Sequence, residues 1–226
     1  MSLIVKICGL STPEALDAAL DSGADMVGFV FFPRSPRHLG FDAARLLGKR
    51  VRGRAQKVAL TVDAGDSGLD AIVEALQPDV LQLHGRELPA RVAKVKQRFG
   101  LPVIKAIAVE KKIDLSAIED YQAVADRLLF DALPPREATR PGGLGNAFDW
   151  NLLEDLQTRV PFMLSGGLDA GNVGEALRIT HAPGVDVSSG VESAPGEKDV
   201  DLIRAFVHAA RAAARHSAHH PVVGHA

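Results

Sequence analysis

The sequence predicts an α/β protein: a single-domain (β/α)8 TIM barrel of eight parallel strands with outer helices. Three observations carry this prediction, namely a length of 226 residues, eight short apolar runs, and helical patterns between those runs. Eight units in 226 residues leave about 28 residues each, which suits one strand, one helix and two loops. Barrels of this kind have about 250 residues, with a lower limit near 200. An open doubly wound sheet shares the local signals, but the count of eight favours the barrel.

The predicted strands are β-branched or Leu-rich runs bounded by turn signals. Such runs are typical of strands buried on both faces of a parallel sheet. The eight runs are residues 3–8, 26–31, 57–62, 80–84, 103–107, 128–131, 162–165 and 185–188. Their carboxyl ends should meet at one face of the barrel, where this fold carries its reactive groups.

Helix signals separate these strands. Residues 11–14 combine a capping hydroxyl, a first-turn proline and a glutamate, and Gly23 stands where a helix would end. Asp199 is a candidate cap for a final amphipathic helix. Further helical patterns cover residues 68–76, 88–99 and 172–179, with a weaker one over 115–125.

Composition excludes several classes of protein. The chain has 26 Lys and Arg against 28 Asp and Glu, a formal net charge of −2, which is not that of a strongly basic nucleic-acid binder. A single cysteine, Cys8, excludes an intrachain disulfide and a Cys-based zinc cluster. No run approaches the roughly 20 apolar residues of a membrane span, and no secretory signal begins the chain. We therefore expect a cytoplasmic protein without membrane or nucleic-acid partners.

The end of the chain differs from the rest. We expect residues 1–214 to form the catalytic barrel and residues 215–226 to form a flexible, His-rich tail. That tail holds four of the eight histidines: His216, His219, His220 and His225. A metal site is one interpretation, but the irregular spacing at a chain terminus favours a frayed end.

Cys8 closes the first predicted strand and is followed by Gly9. Strand alternation places Lys6 and Cys8 on one side and Ile7 on the other. A lone cysteine is commonly a small buried residue. Its place at a strand end favours a reactive thiolate instead, which needs a pKa lowered by nearby positive charge.

Arg37 lies in the loop after the second strand, where Pro33 and Pro36 make a helical continuation unfavourable. Its planar guanidinium can bind both oxygens of a carboxylate, so Arg37 is a candidate carboxylate clamp. A solvated surface arginine is the alternative.

Three polar residues close the fourth and sixth strands. Gln82 and His84 share the face opposite Leu83, so both should point into the barrel, where polar groups need partners. They are either functional residues or hydrogen-bonded supports. Asp131 ends an otherwise apolar strand, a position more typical of function than of a turn.

Glycines follow the last two strands, at the loops where this fold commonly binds phosphate. Gly166 and Gly167 follow the seventh strand, and Ser188, Ser189 and Gly190 follow the eighth. Glycines let backbone N–H groups approach an anion, so this pattern predicts a phosphorylated substrate.

A further glycine-rich loop, residues 142–146, follows the sixth strand and includes Gly143. Its composition is typical of a mobile flap that closes on a ligand, and equally of a plain flexible loop.

Taken in order, these motifs resemble the phosphoribosylanthranilate isomerase family of tryptophan biosynthesis. The matching segments are KICG at 6–9, GAD at 23–25, GFVF at 28–31, SPR at 35–37, QLHG at 82–85, FD at 130–131, GG at 142–143, FDW at 148–150, LSGGL at 164–168 and DVSSGVE at 186–192. They span about residues 3–210. One departure is Leu144, where the family usually has Thr or Ser, which puts a hydroxyl contact in question.

The resemblance implies a cofactor-free and metal-free Amadori rearrangement of N-(5-phosphoribosyl)anthranilate to 1-(2-carboxyphenylamino)-1-deoxyribulose 5-phosphate. Asp131 would be the general acid that opens the furanose ring. Cys8, as thiolate beside Lys6, would be the general base that removes the C2′ proton. Arg37 would hold the anthranilate carboxylate, and the glycines of the last two loops would hold the phosphate. We expect Gln82, His84 and Gly143 to belong to the same substrate site.

Two alternatives remain. A sugar-phosphate isomerase of histidine biosynthesis performs the same rearrangement, but its family usually has Asp where this chain has Cys8. A silent phosphate-binding barrel would be favoured if Cys8 or Asp131 turned away from the site. The expected partner is a small phosphorylated molecule, and the chain would act as a monomer or homodimer.

Overall fold

The computed structural model describes residues 2–135, 137–138, 140–145 and 147–219. Within them, eight parallel strands form a closed barrel in chain order, and the eighth pairs with the first. The strands are β1 Ile4–Cys8, β2 Met26–Phe31, β3 Gln56–Thr61, β4 Val80–Leu83, β5 Val103–Val109, β6 Arg127–Ala132, β7 Phe162–Leu164 and β8 Gly184–Val187. The predicted TIM barrel is confirmed, and the open sheet is excluded.

Seven α-helices surround the barrel in the described part of the chain. They are α1 Pro13–Asp21, α2 Phe41–Val51, α3 Asp66–Leu76, α4 Pro89–Phe99, α5 Ile118–Gln122, α6 Val173–Thr180 and α7 Val200–His219. Three 3-10 segments cover Lys112–Ala117, Trp150–Leu153 and Ser189–Val191. A short antiparallel hairpin, formed by Glu192–Ala194 and Glu197–Lys198, follows β8.

Some helix limits differ from those predicted. The residue that caps α1 is Thr12, whose hydroxyl accepts from the Ala15 N–H at 3.3 Å. Helix α2 was not predicted, because its N-cap is Gly40, which has no capping side chain, and Gly48 interrupts its interior. The pattern over 115–125 becomes a 3-10 segment followed by the short α5.

The last helix continues past the predicted barrel limit at residue 214. It runs to His219, so residues 215–219 of the predicted tail are helical. The alanine-rich sequence at 212–214 has high helix propensity and carries the helix onward. Residues 220–226, including His220 and His225, lie outside the described residues.

The barrel interior has an apolar floor. Seven buried side chains form it: Met26, Val58, Val80, Ile104, Ala106, Leu129 and Met163. A larger cluster packs the outer faces of the strands against the helices. Two polar side chains, Lys6 and Gln82, are also fully buried.

Three aspartates fix the register at the floor of the barrel. Each stands just before an even-numbered strand and makes two bonds to one residue of the preceding strand. Their carboxylates accept that residue's N–H at 2.7–2.9 Å, and their own N–H groups donate to its carbonyl at 2.9 Å. The pairs are Asp25 with Val5, Asp79 with Lys57, and Asp126 with Val103. Successive odd and even strands are thereby joined at their starts.

Replacement of Asp126 should destabilise the barrel. In Asp126→Ala the buried N–H of Val103 loses its acceptor and Lys96 loses its ion-pair partner, so we expect the free energy of unfolding to fall by about 1–3 kcal/mol. Urea unfolding measures this. Asp155→Ala, at an exposed aspartate, is the control and should change stability by less than about 0.5 kcal/mol. Equal losses in both variants would contradict this role.

Candidate active site

A pocket that is partly open to solvent lies at the carboxyl ends of the strands. Cys8, Arg37, His84 and Asp131 all line it, although they come from four different strand ends and loops. Ser165, Gly166 and Gly167 after β7, and Ser188 and Ser189 after β8, line the same pocket. The closed barrel thus brings together the residues that the sequence singled out.

Cys8 lies beside a buried ion pair. The ammonium of Lys6 is 2.8 Å from the carboxylate of Asp186, and both side chains are almost wholly buried. Lys6 also lies close enough to the Cys8 side chain for the two groups to interact electrostatically. Gly28 on β2 provides the space, because a Cβ there would come within 2.9 Å of the sulfur and 3.2 Å of the Lys6 nitrogen. The predicted alignment of Lys6 with Cys8 is confirmed.

The acidity of Cys8 differs from the expectation. Burial raises the pKa of the thiol, the positive charge of Lys6 lowers it, and the negative charge of Asp186 raises it again. The net direction is upward, so the expected low pKa is wrong for the ligand-free protein. Burial also acts to lower the pKa of Lys6, but Asp186 and Cys8 outweigh it and the pKa rises. Lys6 is therefore a firmly charged neighbour of the sulfur.

Asp131 ends a chain of three polar side chains. Its Oδ2 lies 3.2 Å from His84 Nε2, and His84 Nδ1 lies 3.0 Å from Gln82 Nε2. With the Gln82 amide nitrogen facing Nδ1, Nδ1 accepts and the ring proton is assigned to Nε2, facing Asp131. The other carboxylate oxygen, Oδ1, accepts from the Ala132 N–H at 2.9 Å. Both oxygens of Asp131 are thus held in place.

The glycine-rich loop passes directly over this pair. A Cβ on Gly142 would lie 2.6 Å from Asp131 Oδ2 and 2.7 Å from His84 Nε2. Gly143, at φ +68°, accepts from Arg37 and Arg140 through its carbonyl. Only glycine permits so close an approach. Asn146, the end of the predicted flap, lies outside the described residues.

Arg37 is buried and its fork is occupied. Its Nε and Nη2 each lie 2.7 Å from an oxygen of Glu192, and Nη2 also donates to the Gly143 carbonyl. The expectation that this fork is open to a substrate carboxylate is therefore wrong. The remaining nitrogen, Nη1, lies against Gly143 of the pocket wall, where a Cβ would come within 2.6 Å of it.

Glu192 lies between two cations. Besides Arg37 it contacts Lys198, whose Nζ is 2.6 Å from Oε1 and also donates to the Ser188 carbonyl at 2.8 Å. Burial acts to raise the pKa of Glu192, but the two cations outweigh it and hold the pKa low. Burial lowers the pKa of Lys198, which the charge of Glu192 counteracts. The cluster of Arg37, Glu192 and Lys198 carries an excess positive charge when all three are ionised.

The loops after β7 and β8 form one side of the pocket. Gly166 and Gly167 have positive φ angles of 84° and 63°, which glycine adopts without strain. Ser188 donates to the Cys8 carbonyl at 3.1 Å and so joins this side to β1. Gly190 does not line the pocket; a Cβ there would lie 1.9 Å from the Leu168 carbonyl. Its role is to let the two loops pack together.

Gln82, which was expected to belong to the substrate site, does not line the pocket and instead hydrogen-bonds His84 at Nδ1. Four further residues of the site were not predicted as such. Asp186 and Glu192 lie in the DVSSGVE segment, but the neighbouring sequence does not indicate that they pair with Lys6 and Arg37. Lys198 and Arg140 gave no signal. Within the described residues, no group of His, Cys, Asp or Glu could hold a metal ion, and no helix is long and apolar enough to span a bilayer.

Comparison with known proteins gives consistent results. The family model described as N-(5′-phosphoribosyl)anthranilate (PRA) isomerase matches residues 5–209. A relative of that name from Rhodopseudomonas palustris (strain TIE-1) is 66% identical over 213 residues, covering 94% of this chain and all of the relative. A relative of the same name from Nitrobacter winogradskyi is 67% identical, and the match covers 94% of this chain and 95% of the relative.

Solved structures agree. The phosphoribosyl anthranilate isomerase of Thermotoga maritima matches with a TM-score of 0.84 and 34% identity, over 93% of this chain and 99% of that one. A phosphoribosyl anthranilate isomerase in complex with reduced 1-(o-carboxyphenylamino)-1-deoxyribulose 5-phosphate matches with a TM-score of 0.80 and 32% identity. The match covers 93% of this chain and 99% of that one.

The two charges beside Cys8 should shift its titration in opposite directions. In wild type, the midpoint of iodoacetamide alkylation against pH should lie above the ordinary thiol value of about 8.5. Lys6→Met should raise this midpoint, because a stabilising cation is lost, and Asp186→Asn should lower it, because a repelling anion is lost. As Cys8 is the single cysteine, mass spectrometry reports it alone. Shifts in the same direction would contradict this electrostatic account.

Proposed function

The chain belongs to the N-(5′-phosphoribosyl)anthranilate isomerase family, and we propose that Cys8 and Asp131 are the acid–base pair of its reaction. The chain is an aldose–ketose isomerase that converts N-(5-phosphoribosyl)anthranilate to 1-(2-carboxyphenylamino)-1-deoxyribulose 5-phosphate. The observation that carries the assignment of roles is the joint placement of a thiol and a carboxyl group in one pocket, beside cationic and glycine-rich surfaces.

Asp131 opens the ring. As its proton moves to the furanose oxygen, the C1′–O bond breaks, and the lone pair of the anilino nitrogen forms a protonated Schiff base. The carboxylate left behind is stabilised by the N–H groups of His84 and Ala132, which already face its two oxygens. This arrangement holds Asp131 at the pocket while its charge changes.

Cys8 removes the C2′ proton. The electron pair of the C2′–H bond moves into a C1′–C2′ double bond and neutralises the Schiff-base nitrogen, giving an enolamine that tautomerises to the ketone. Because the pKa of the Cys8 thiol is raised, its thiolate is a strong base, but only a small fraction of the protein carries it. Lys6 stabilises the thiolate, and the positive charge of the Schiff base would stabilise it further.

The cluster of Arg37, Glu192 and Lys198 suits the anthranilate carboxylate. Two buried cations share one anion, and a substrate carboxylate at Arg37 Nη1 would balance the remaining charge. Glu192 holds the guanidinium by two bonds, so the orientation of Nη1 is set before the substrate arrives. Arg140 adds positive charge on the same side, where it shares the Gly143 carbonyl with Arg37.

The loops after β7 and β8 suit the phosphate. Ser165, Gly166, Gly167, Ser188 and Ser189 line one side of the pocket and offer hydroxyl and backbone groups. These two loops are the ones at which barrels of this type commonly bind phosphate. Leu144 also lines the pocket, so the residue that departs from the family pattern presents an apolar side chain there.

The alternatives fit less well. The histidine-pathway isomerase needs a carboxylate at the end of β1, where this chain has Cys8. A silent binding barrel requires that Cys8 or Asp131 turn away, yet both line the pocket. We further infer a cytoplasmic enzyme that needs no cofactor and acts as a monomer or homodimer; a solved structure of monomers made from a dimeric Thermotoga maritima relative motivates the last point.

Removal of either proton-transfer group should abolish most turnover. We expect Cys8→Ser and Asp131→Asn each to lower kcat by about 10²- to 10⁴-fold, with thermal unfolding near that of wild type. The decrease in anthranilate fluorescence follows turnover of phosphoribosylanthranilate. Near-normal rates in both variants would refute the assigned roles.

Arg37 should act on one functional group of the substrate. In Arg37→Ala, binding of reduced 1-(o-carboxyphenylamino)-1-deoxyribulose 5-phosphate should weaken by roughly 10- to 100-fold, as expected for a lost charged hydrogen bond. Binding of the same compound without its carboxylate should change little. Arg34→Ala, at an exposed arginine of the same loop, is the control and should affect neither ligand. Equal weakening for both ligands in Arg37→Ala would place the clamp elsewhere.

A further inference from the structure

Lys105 and Glu87 form a buried ion pair outside the pocket. Their charged atoms lie 3.0 Å apart, and both side chains are at most 3% exposed. Neither residue lines the pocket. A buried ion pair is weak evidence for stability, because well-packed apolar residues often replace such pairs without loss. The bonds that the pair makes to its surroundings suggest a different role.

All three donors of the Lys105 ammonium are used. One bonds Glu87, and the other two bond the carbonyls of Leu83 at 3.2 Å and Gly85 at 2.7 Å. These carbonyls belong to the residues immediately before and after His84. Glu87 adds a second restraint, because its Oε2 accepts from the Gly85 N–H at 3.0 Å. The backbone on both sides of His84 is therefore tied to the pair.

The hydrogen bonds of Lys105 and Glu87 begin where the pairing of β4 with β5 ends. The pairing of β4 with β5 stops at Leu83 and Lys105, so β5 provides no ladder bond for the chain beyond that point. The side chain of Lys105 takes over this function. On the other side, Glu87 Oε1 accepts from the Asp63 N–H at 2.9 Å and joins the loop to the end of β3. His84 stands at the centre of this restrained segment.

We propose that the Lys105–Glu87 pair is a positioning device that sets the His84 imidazole against Asp131. The Nε2–Oδ2 distance of 3.2 Å is already long for a hydrogen bond, so a shift of a few tenths of an ångström would break it. Such a shift would leave the Asp131 carboxylate less stabilised after it gives up its proton. This inference rests on the proposed role of Asp131 and adds two residues that act through His84.

The test is a double-mutant cycle. Lys105→Met/Glu87→Gln removes both charges together, so that no unpaired buried charge remains. We expect kcat to fall by about 10- to 100-fold with KM within about threefold of wild type, as for a displaced catalytic group. In a His84→Ala background the same change should lower kcat by less than about threefold, because the group it positions is absent.

A matched control lies at the other end of β5. Lys96→Met/Asp126→Asn removes a second Lys–carboxylate pair, one that bonds the Val103 N–H at the floor of the barrel. It should lower the melting temperature without lowering kcat. If Lys105→Met/Glu87→Gln fails to fold, Glu87→Gln alone is measured in both backgrounds, with the same coupling expected.

The outcomes separate this inference from the proposed function. An equal fall in kcat with and without His84 would overturn the positioning role, as would an unchanged kcat in the folded variant. Either result leaves the roles of Cys8 and Asp131 intact, provided that Asp131→Asn is inactive. Normal turnover in Asp131→Asn would instead overturn the proposed role of Asp131.

Discussion

The pairing of β8 with β1 is the constraint on which the site depends. This seam closes the barrel and sets Lys6 opposite Asp186, so the two partners in the register also form the buried ion pair beside the thiol. The same seam brings Ser188 to the Cys8 carbonyl. Without closure, the first and last strands would lie at opposite edges of a sheet, and no pocket would contain both Cys8 and the loops after β7 and β8.

The charges of the site are arranged in three separate groups. Cys8 has one cation and one anion beside it, and burial raises the pKa of its thiol. Asp131 faces N–H donors that stabilise its charged form. Glu192 orients Arg37 and shares its charge with Lys198, leaving a positive surface for an anion. A substrate with a carboxylate at one end and a phosphate at the other would complement this pattern along its length.

The sequence predicts those features of the fold and the site that depend on residues close together in the chain. Strand runs and their terminal residues are local, so all eight strands and the positions of Cys8, His84 and Asp131 could be predicted. The occupation of Arg37 could not, because Glu192 lies 155 residues away and meets it only after closure. The rise in the Cys8 pKa depends on burial, which no motif reveals. The helix α2, with a glycine cap and an internal glycine, had too weak a pattern.

The most direct test of the division of labour is a kinetic isotope effect. Deuterium at C2′ of the substrate slows the proton removal that we assign to Cys8. The isotope effect on kcat should therefore be larger in Cys8→Ser than in wild type, because proton removal becomes more fully rate-limiting. In Asp131→Asn, where ring opening is slowed, it should be no larger than in wild type. A larger effect in Asp131→Asn and an unchanged one in Cys8→Ser would reverse the two roles and contradict the account.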